Sequence, residues 1–217
     1  ATVDDYGNVK GITPGKVTIS AIIGEMELTY EVTIKLPFDD VNENDWFYNA
    51  VKYMKDNRYM SGTTETTYSP SSKLTRGMLV TILHNMEGKP KATGTSKFAD
   101  VQNKNMYYYS AVLWASSNKI VNGYSNGKFG ADDNITREQL AVMLSNYCKY
   151  KGKYKATNAN YSKFSDSGKI SGFAKTGMNW AVANNIVNGS NGKLNPQGTA
   201  NRAEAAAMIY NYCNRIK

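Results

Sequence analysis

Three arginines occupy matched places in this chain. Arg76, Arg137 and Arg202 each follow directly on a residue suited to cap a helix, namely Thr75, Thr136 or Asn201. A cation in the first turn of a helix is opposed by the helix dipole, so its presence there needs a reason. Two are open. The guanidinium and nearby helix amides can hold an anion, bidentate where the anion is a carboxylate. Alternatively it forms an internal salt bridge to an aspartate of a neighbouring part of the chain. Three other residue types recur with the arginines. Asp40, Asp100 and Asp166 can accept hydrogen bonds from a sugar's hydroxyls or cap a following helix, and capping is the commoner role for an aspartate in that position. Trp46, Tyr107 and Phe173 can offer a ring face to a sugar or line a core or groove wall. Gly62, Gly123 and Gly189 serve the backbone first, and also let a ligand approach it closely.

Catalytic chemistry finds little to work with. The chain has one histidine, His84, and two cysteines, Cys148 and Cys213. That excludes a Cys/His zinc site with its four N/S ligands and a disulfide-dense scaffold. His84 has Ser145 and Tyr210 at the matched places, so it reads as a surface or partly buried histidine rather than part of a repeated site. Cys148 and Cys213 fall on apolar stripes and read as buried free thiols, with a bridge between them as the alternative. No pair of carboxylates is placed for glycoside hydrolysis. The Gly-rich stretches Asn122–Gly127 and Asn188–Gly192 lack the Lys-Ser/Thr of a phosphate loop. No cofactor and no metal is expected.

The chain has 217 residues and a formal charge of +8. Residues 1–37 are net −2 and 38–90 net −1, whereas 91–152 are net +4 and 153–217 net +7. A basic half favours an anionic partner. The aromatics fall on core stripes rather than interleaving with a basic face, which argues against nucleic acid. No apolar run approaches the ~18 residues that span a bilayer, so membrane insertion is not expected. The chain opens Ala1-Thr2-Val3, without Met or an apolar leader, which reads as a processed or excised start.

The matched residues belong to a repeat. Copies open at Phe38-Asp39-Asp40-Val41, Phe98-Ala99-Asp100-Val101 and Phe164-Ser165-Asp166-Ser167. In each, the aromatic residue stands sixteen positions before the glycine, and the cap–Arg pair follows the glycine by thirteen, thirteen and twelve. Each copy reads as helix–loop–helix. The first helix runs from near the aromatic residue to just before the glycine, which closes it with a positive φ. The loop ends on an apolar anchor, Tyr68, Phe129 or Leu194. The second helix opens with a capping box in Thr136–Gln139 and Asn201–Glu204. Thr75–Met78 lacks the return partner and adds Gly77, a weak helix former, so copy one is the degraded one. The stripes Leu140, Met143, Leu144, Tyr147, Cys148 and Ala205, Met208, Ile209, Tyr212, Cys213 mark its buried face.

The order Phe-x-Asp, aromatic, small residue–Gly, aromatic anchor, Thr-Arg-x-Glu resembles the S-layer homology repeat of bacterial surface proteins. It covers about 180 of the 217 residues. The resemblance implies a mainly α fold, a pseudo-threefold assembly of three helix–loop–helix repeats, here with a short N-terminal β segment. It implies an extracellular, non-catalytic module on the bacterial cell wall or S-layer. That module binds an anionic, sometimes pyruvylated, secondary cell wall polysaccharide linked to peptidoglycan. It tethers a secreted parent protein whose remainder lies upstream. The alternative is a carbohydrate-binding part of a larger surface glycoside hydrolase. Departures are Gly77-Met78, Asn201 in place of Thr, and Phe173 in place of Trp. The repeats divide as 38–90, 91–152 and 153–217. A helix pair of ~50 residues is too small to bury its apolar face alone, so the three form one unit.

Residues 1–37 differ in kind. Val17–Ile22 and Leu28–Ile34 alternate at period two around Gly24-Glu25, a hairpin pattern. Asp5–Asn8 and Pro14-Gly15 are turn signals, and the string Val3–Gly7 followed by Gly11–Ile19 resembles the second half of a bacterial group 2 Ig-like domain. Such a sandwich needs about seven strands, and there is room here for three or four.

Overall fold

Alternating polarity makes the first segment a hairpin. In the computed structural model, which describes residues 1–12 and 14–216, β1 (Thr2–Val3) pairs with β2 (Val9–Lys10), and β3 (Gly15–Ile23) with β4 (Met26–Ile34), both antiparallel. Thr13, inside the Gly11–Ile19 string, and Lys217 lie outside the described residues. Gly24 takes φ +62° at the first central position of the tight turn, as a two-residue hairpin requires. The register pairs Val17 with Val32, Ile19 with Tyr30, Ala21 with Leu28 and Ile23 with Met26, so one face of the hairpin is wholly apolar. The opposite face pairs Lys16 with Thr33, Thr18 with Glu31 and Ser20 with Thr29, and is polar up to Ile22 near the turn.

The rest of the chain forms six α-helices among the described residues: α1 (Tyr48–Asp56), α2 (Arg76–Met86), α3 (Tyr109–Ser117), α4 (Arg137–Tyr150), α5 (Lys175–Ala183) and α6 (Arg202–Arg215). Helices hold 33% of the residues against 14% in strands, so helix leads but loops make up most of the rest. Each copy contributes two helices, yet its two helices are not the main packing pair. Instead α1 packs on α6, α3 on α2 and α5 on α4, each a first helix against the second helix of another copy. One cluster of buried apolar side chains runs from Leu36 to Tyr212 through all three copies. The expected stripes of α4 and α6 are buried in it, with Cys213 half-buried at its edge.

The first helices stop well short of the glycines. Each ends on an asparagine, Asn57, Asn118 or Asn184, whose side-chain amide donates back to the carbonyl of Tyr53, Trp114 or Trp180. The next residue, Arg58, Lys119 or Asn185, takes the positive φ, at +59°, +58° and +53°. The paired bonds Tyr59 N to Met54 O and Arg58 N to Lys55 O, repeated at Ile120 and Ile186, complete a Schellman closure. The glycines therefore do not close these helices. Gly62 and Gly123 lack a positive φ, and only Gly189 of the three has one, at +69°. What they share is crowding. A Cβ at Gly62, Gly123 or Gly189 would lie 2.7, 2.5 or 2.6 Å from the ring of Phe38, Phe98 or Phe164, which opens the same copy.

The aspartates also differ from expectation. None caps a first helix. Asp40 accepts from the amides of Tyr68 and Ser69, Asp100 from Phe129 and Gly130, and Asp166 from Leu194 and Asn195. Each carboxylate thus clamps the loop just ahead of its copy's second helix. Burial alone would raise the Asp100 and Asp166 carboxyls. The two backbone amides outweigh it and hold both below the usual carboxylate range.

The second helices start where expected. Thr136 with Gln139 and Asn201 with Glu204 form complete capping boxes, while Thr75 accepts from Met78 N alone. Just ahead of these caps the copies meet. Leu74 N donates to Ala200 O, Ala200 N to Ile135 O, and Ile135 N to Leu74 O, which closes a ring of three backbone hydrogen bonds. Gly77 is not simply a weak point. Its amide donates to Ala131 O at 2.8 Å, and a Cβ there would lie 2.9 Å from that oxygen.

Residues 38–216 are expected to unfold by heat or urea in one main transition, because the packing pairs are all between copies. Three separate transitions would contradict this. Asp166→Asn should cost ~1–3 kcal/mol at neutral pH. Its folded carboxyl lies below the unfolded value of ~3.9, so its contribution is full above about pH 4 and lost as pH falls through the lowered value. The variant's stability should accordingly fall less steeply below about pH 4 than that of the parent, in melts run across pH.

Candidate functional site

The arginines divide into two kinds. Arg76 and Arg202 are only 4% and 7% exposed. Arg76 Nε donates to Phe129 O at 2.9 Å and Nη2 to Asn122 O at 3.3 Å. Arg202 repeats this with Tyr68 O at 2.8 Å and Ser61 O at 2.6 Å. Their guanidinium carbons also sit over the rings of Phe129 and Tyr68, at 4.9 and 4.7 Å. Burial pulls both groups below their usual range, opposed by the tyrosine and aspartate charges nearby. These two arginines join one copy's helix to another copy's loop through carbonyls, and not through a salt bridge to the Phe-x-Asp aspartate.

Arg137 differs. Its Nε donates to Leu194 O at 2.9 Å, but Nη1 pairs with Glu204 Oε1 at 3.0 Å. The positions matching Glu204 hold Met78 and Gln139, so this ion pair occurs in one copy interface alone. There a groove of about 870 Å³ opens, lined by Trp46 of copy one, Arg137 of copy two, and Gly189, Lys193 and Glu204 of copy three. Asn49, Asn188, Asn191, Asn195 and Asn211 add amides to its wall. Its charged lining is two cations and one carboxylate. The structure thus brings Trp46, Arg137 and Gly189 together. The cavities of about 670, 520 and 400 Å³ elsewhere do not unite an aromatic, an arginine and a glycine of the expected sets.

The aromatic residues lie just ahead of the first helices and not on their core stripes. Trp46, Tyr107 and Phe173 are 68%, 57% and 64% exposed. Trp46 and Tyr107 stand edge-on to Phe47 and Tyr108. The first two amides of each second helix are already bonded. Arg76 and Gly77 donate to Asp133 O and Ala131 O, Arg137 and Glu138 to Gly198 O and Pro196 O, and Arg202 and Ala203 to Ser72 O and Pro70 O. An anion would therefore meet side chains here rather than helix-end amides.

Sequence reasoning missed a set of asparagines, of which Asn211 lines the groove. Asn85, Asn146 and Asn211 donate from their side chains to Tyr59 O, Ile120 O and Ile186 O, tying each second helix to the end of its copy's first. They stand at the same offset from the cap in all three copies, so the repeat carried the signal. His84 is buried, with Nε2 2.9 Å from Pro90 O and its ring against Trp114. Cys148 and Cys213 are free, and burial raises both thiols. No helix is long and apolar enough to cross a membrane, and no group of His, Cys, Asp and Glu is arranged for a metal, among the described residues.

The S-layer homology domain family matches residues 37–77, 97–141 and 163–206. The chain is 28% identical over 174 residues to an endoglucanase of Bacillus sp. (strain KSM-635), covering 80% of this chain and 18% of that protein. It is 30% identical over 175 residues to an amylopullulanase of Thermoanaerobacterium thermosulfurigenes, covering 80% of this chain and 9% of the relative. It is 28% identical over 164 residues to the surface-layer 125 kDa protein of Lysinibacillus sphaericus, covering 74% of this chain and 13% of the relative. The chain spans less than a fifth of the length of these relatives. Three matched segments, each running from a Phe-x-Asp opening into a capped second helix, carry the conclusion: the chain belongs to the S-layer homology domain family.

Proposed function

We propose that this chain is a non-catalytic anchoring module that binds a secondary cell wall polysaccharide and tethers a larger secreted protein to the bacterial envelope. Family membership goes with an extracellular place at the cell wall or S-layer. The observation that carries the finer reading is the groove where Trp46, Arg137 and Gly189 of three different copies converge. An exposed indole suits a pyranose face. The five asparagines suit hydroxyl and amide groups, and Arg137 with Lys193 suits one anionic substituent, such as a pyruvate ketal. The other expected residues then support that surface rather than form it. Arg76 and Arg202 do so from inside the protein, Asp40, Asp100 and Asp166 through the loops they clamp, and Gly62 and Gly123 through close packing. Tyr107 and Phe173 lie outside this groove. The cyclic packing of α1 on α6, α3 on α2 and α5 on α4 supports a pseudo-threefold assembly of repeats 38–90, 91–152 and 153–217.

The similarity to an endoglucanase and an amylopullulanase favours a second reading, in which the parent is a surface glycoside hydrolase and this chain its wall-binding part. The two are compatible. The apolar hairpin face supports reading residues 1–37 as part of an Ig-like β unit, since a sandwich covers such a face with its second sheet.

Pull-down with purified cell wall, before and after its secondary polymer is stripped, tests the reading. Retention should drop on stripped wall, and equal retention would overturn the polymer claim. In titrations with the released polymer, Trp46→Ala or Arg137→Ala should weaken binding about tenfold or more in protein that is still folded, although Arg137→Ala also frees the Leu194 carbonyl and lowers stability, and added salt should weaken the parent. Arg76→Ala and Arg202→Ala should instead lower stability, by ~1–3 kcal/mol, since each leaves a buried carbonyl, of Phe129 or Tyr68, unpaired. Wild-type affinity in both groove variants would move the site elsewhere.

A further inference from the structure

The chain at the start of the third copy, ahead of its Phe164 opening, forms a second concave surface. Asn179 of α5 holds this strap in place. Its Oδ1 accepts from Ala159 N at 2.8 Å, and its Nδ2 donates to Thr157 O. Between the strap, α5 and the 3-10 turn at Ser167–Lys169 lies a cavity of about 670 Å³. It shares no lining residue with the groove at Trp46 and Arg137.

Its chemistry is narrow. Tyr154 and Tyr161 give aromatic walls, Asn158, Ser167 and Thr176 give amide and hydroxyl groups, and Ile170 is the one large aliphatic side chain. Lys175 is the single charged residue, and no carboxylate lines the cavity. Thr157 is also on the wall, with its Oγ1 buried behind it and without a hydrogen-bond partner in the chain. A wall this polar suits no purely apolar ligand. One lysine without an arginine is a poor match to a phosphate group. Hydroxyl and amide donors beside tyrosine rings match a sugar.

We infer that this cavity is a second saccharide subsite, taking one neutral or singly anionic sugar residue. The assignment of a sugar stands on this cavity alone. Its source, the wall polysaccharide already assigned to the groove, rests on the function proposed above. A polymer held at two separate places would dissociate more slowly than from either one.

The test is a titration of the full ¹⁵N-labelled chain with N-acetylglucosamine, a neutral sugar, and with glucuronic acid, a singly anionic one, followed by amide shifts. Saturable shifts are expected at Thr157, Asn158, Tyr161 and Thr176 with at least one of the two sugars. Asn158→Ala removes an exposed amide from the wall, and should weaken this binding about fivefold. Arg137→Ala should leave these shifts unchanged, so a failure of the groove and a failure of this subsite are read separately. The inference is overturned if neither sugar shifts the strap amides, if Asn158→Ala binds like the parent, or if inorganic phosphate alone produces the same shifts.

Discussion

The ring of hydrogen bonds joining Leu74, Ala200 and Ile135 is the constraint on which the rest depends. Each of these residues stands immediately ahead of the cap of a second helix. Pairing there puts the helix starts of all three copies side by side. Each start then faces a neighbour's loop, whose carbonyls accept from its first two amides. A helix leaves its first four amides without internal partners. Here the cap side chain takes one and the neighbouring copy takes two more. No copy can satisfy its own helix starts in this way, so folding and association of the copies are one event.

This arrangement also explains the arginines. The dipole at a helix start disfavours a cation, yet the same place is where a neighbour's loop arrives with carbonyls pointing inward. A guanidinium, with five donors in a fixed fork, can bridge several of them at once. At Arg76 and Arg202 both ends of the fork meet carbonyls, beneath an aromatic anchor. At Arg137 one arm meets Glu204 instead, and that interface is the one where the groove opens beside Trp46. A small change in the repeat, an acidic residue where the other copies have Met78 and Gln139, thus coincides with the difference between a buried pin and a groove wall.

Much of this is legible in the sequence. The repeat, the second-helix starts, the capping boxes at Thr136 and Asn201, the second-helix stripes and the N-terminal hairpin all follow from local pattern. The first-helix ends do not, because Arg58, Lys119 and Asn185 take a left-handed conformation that propensity assigns to glycine. The repeat marks the glycines, but their reason is the approach of the Phe-x-Asp ring, a contact across more than twenty residues. The aspartates show the same limit, since the loop amides they clamp lie twenty-eight to thirty residues away. Trp46, Tyr107 and Phe173 fit a core stripe only if the helix includes them, and it begins later. Local chemistry is readable, whereas contacts between residues far apart in the chain are not.

Amide hydrogen exchange at Leu74, Ile135 and Ala200 tests the central claim most directly. These three amides are bonded only across copies, so if the ring closes the structure they should exchange solely through global unfolding. Their exchange free energies should then agree with one another and with the stability measured by denaturant. Exchange of any one of them at distinctly lower free energy, while the helices of its own copy stay protected, would show that the copies fold first and associate afterwards.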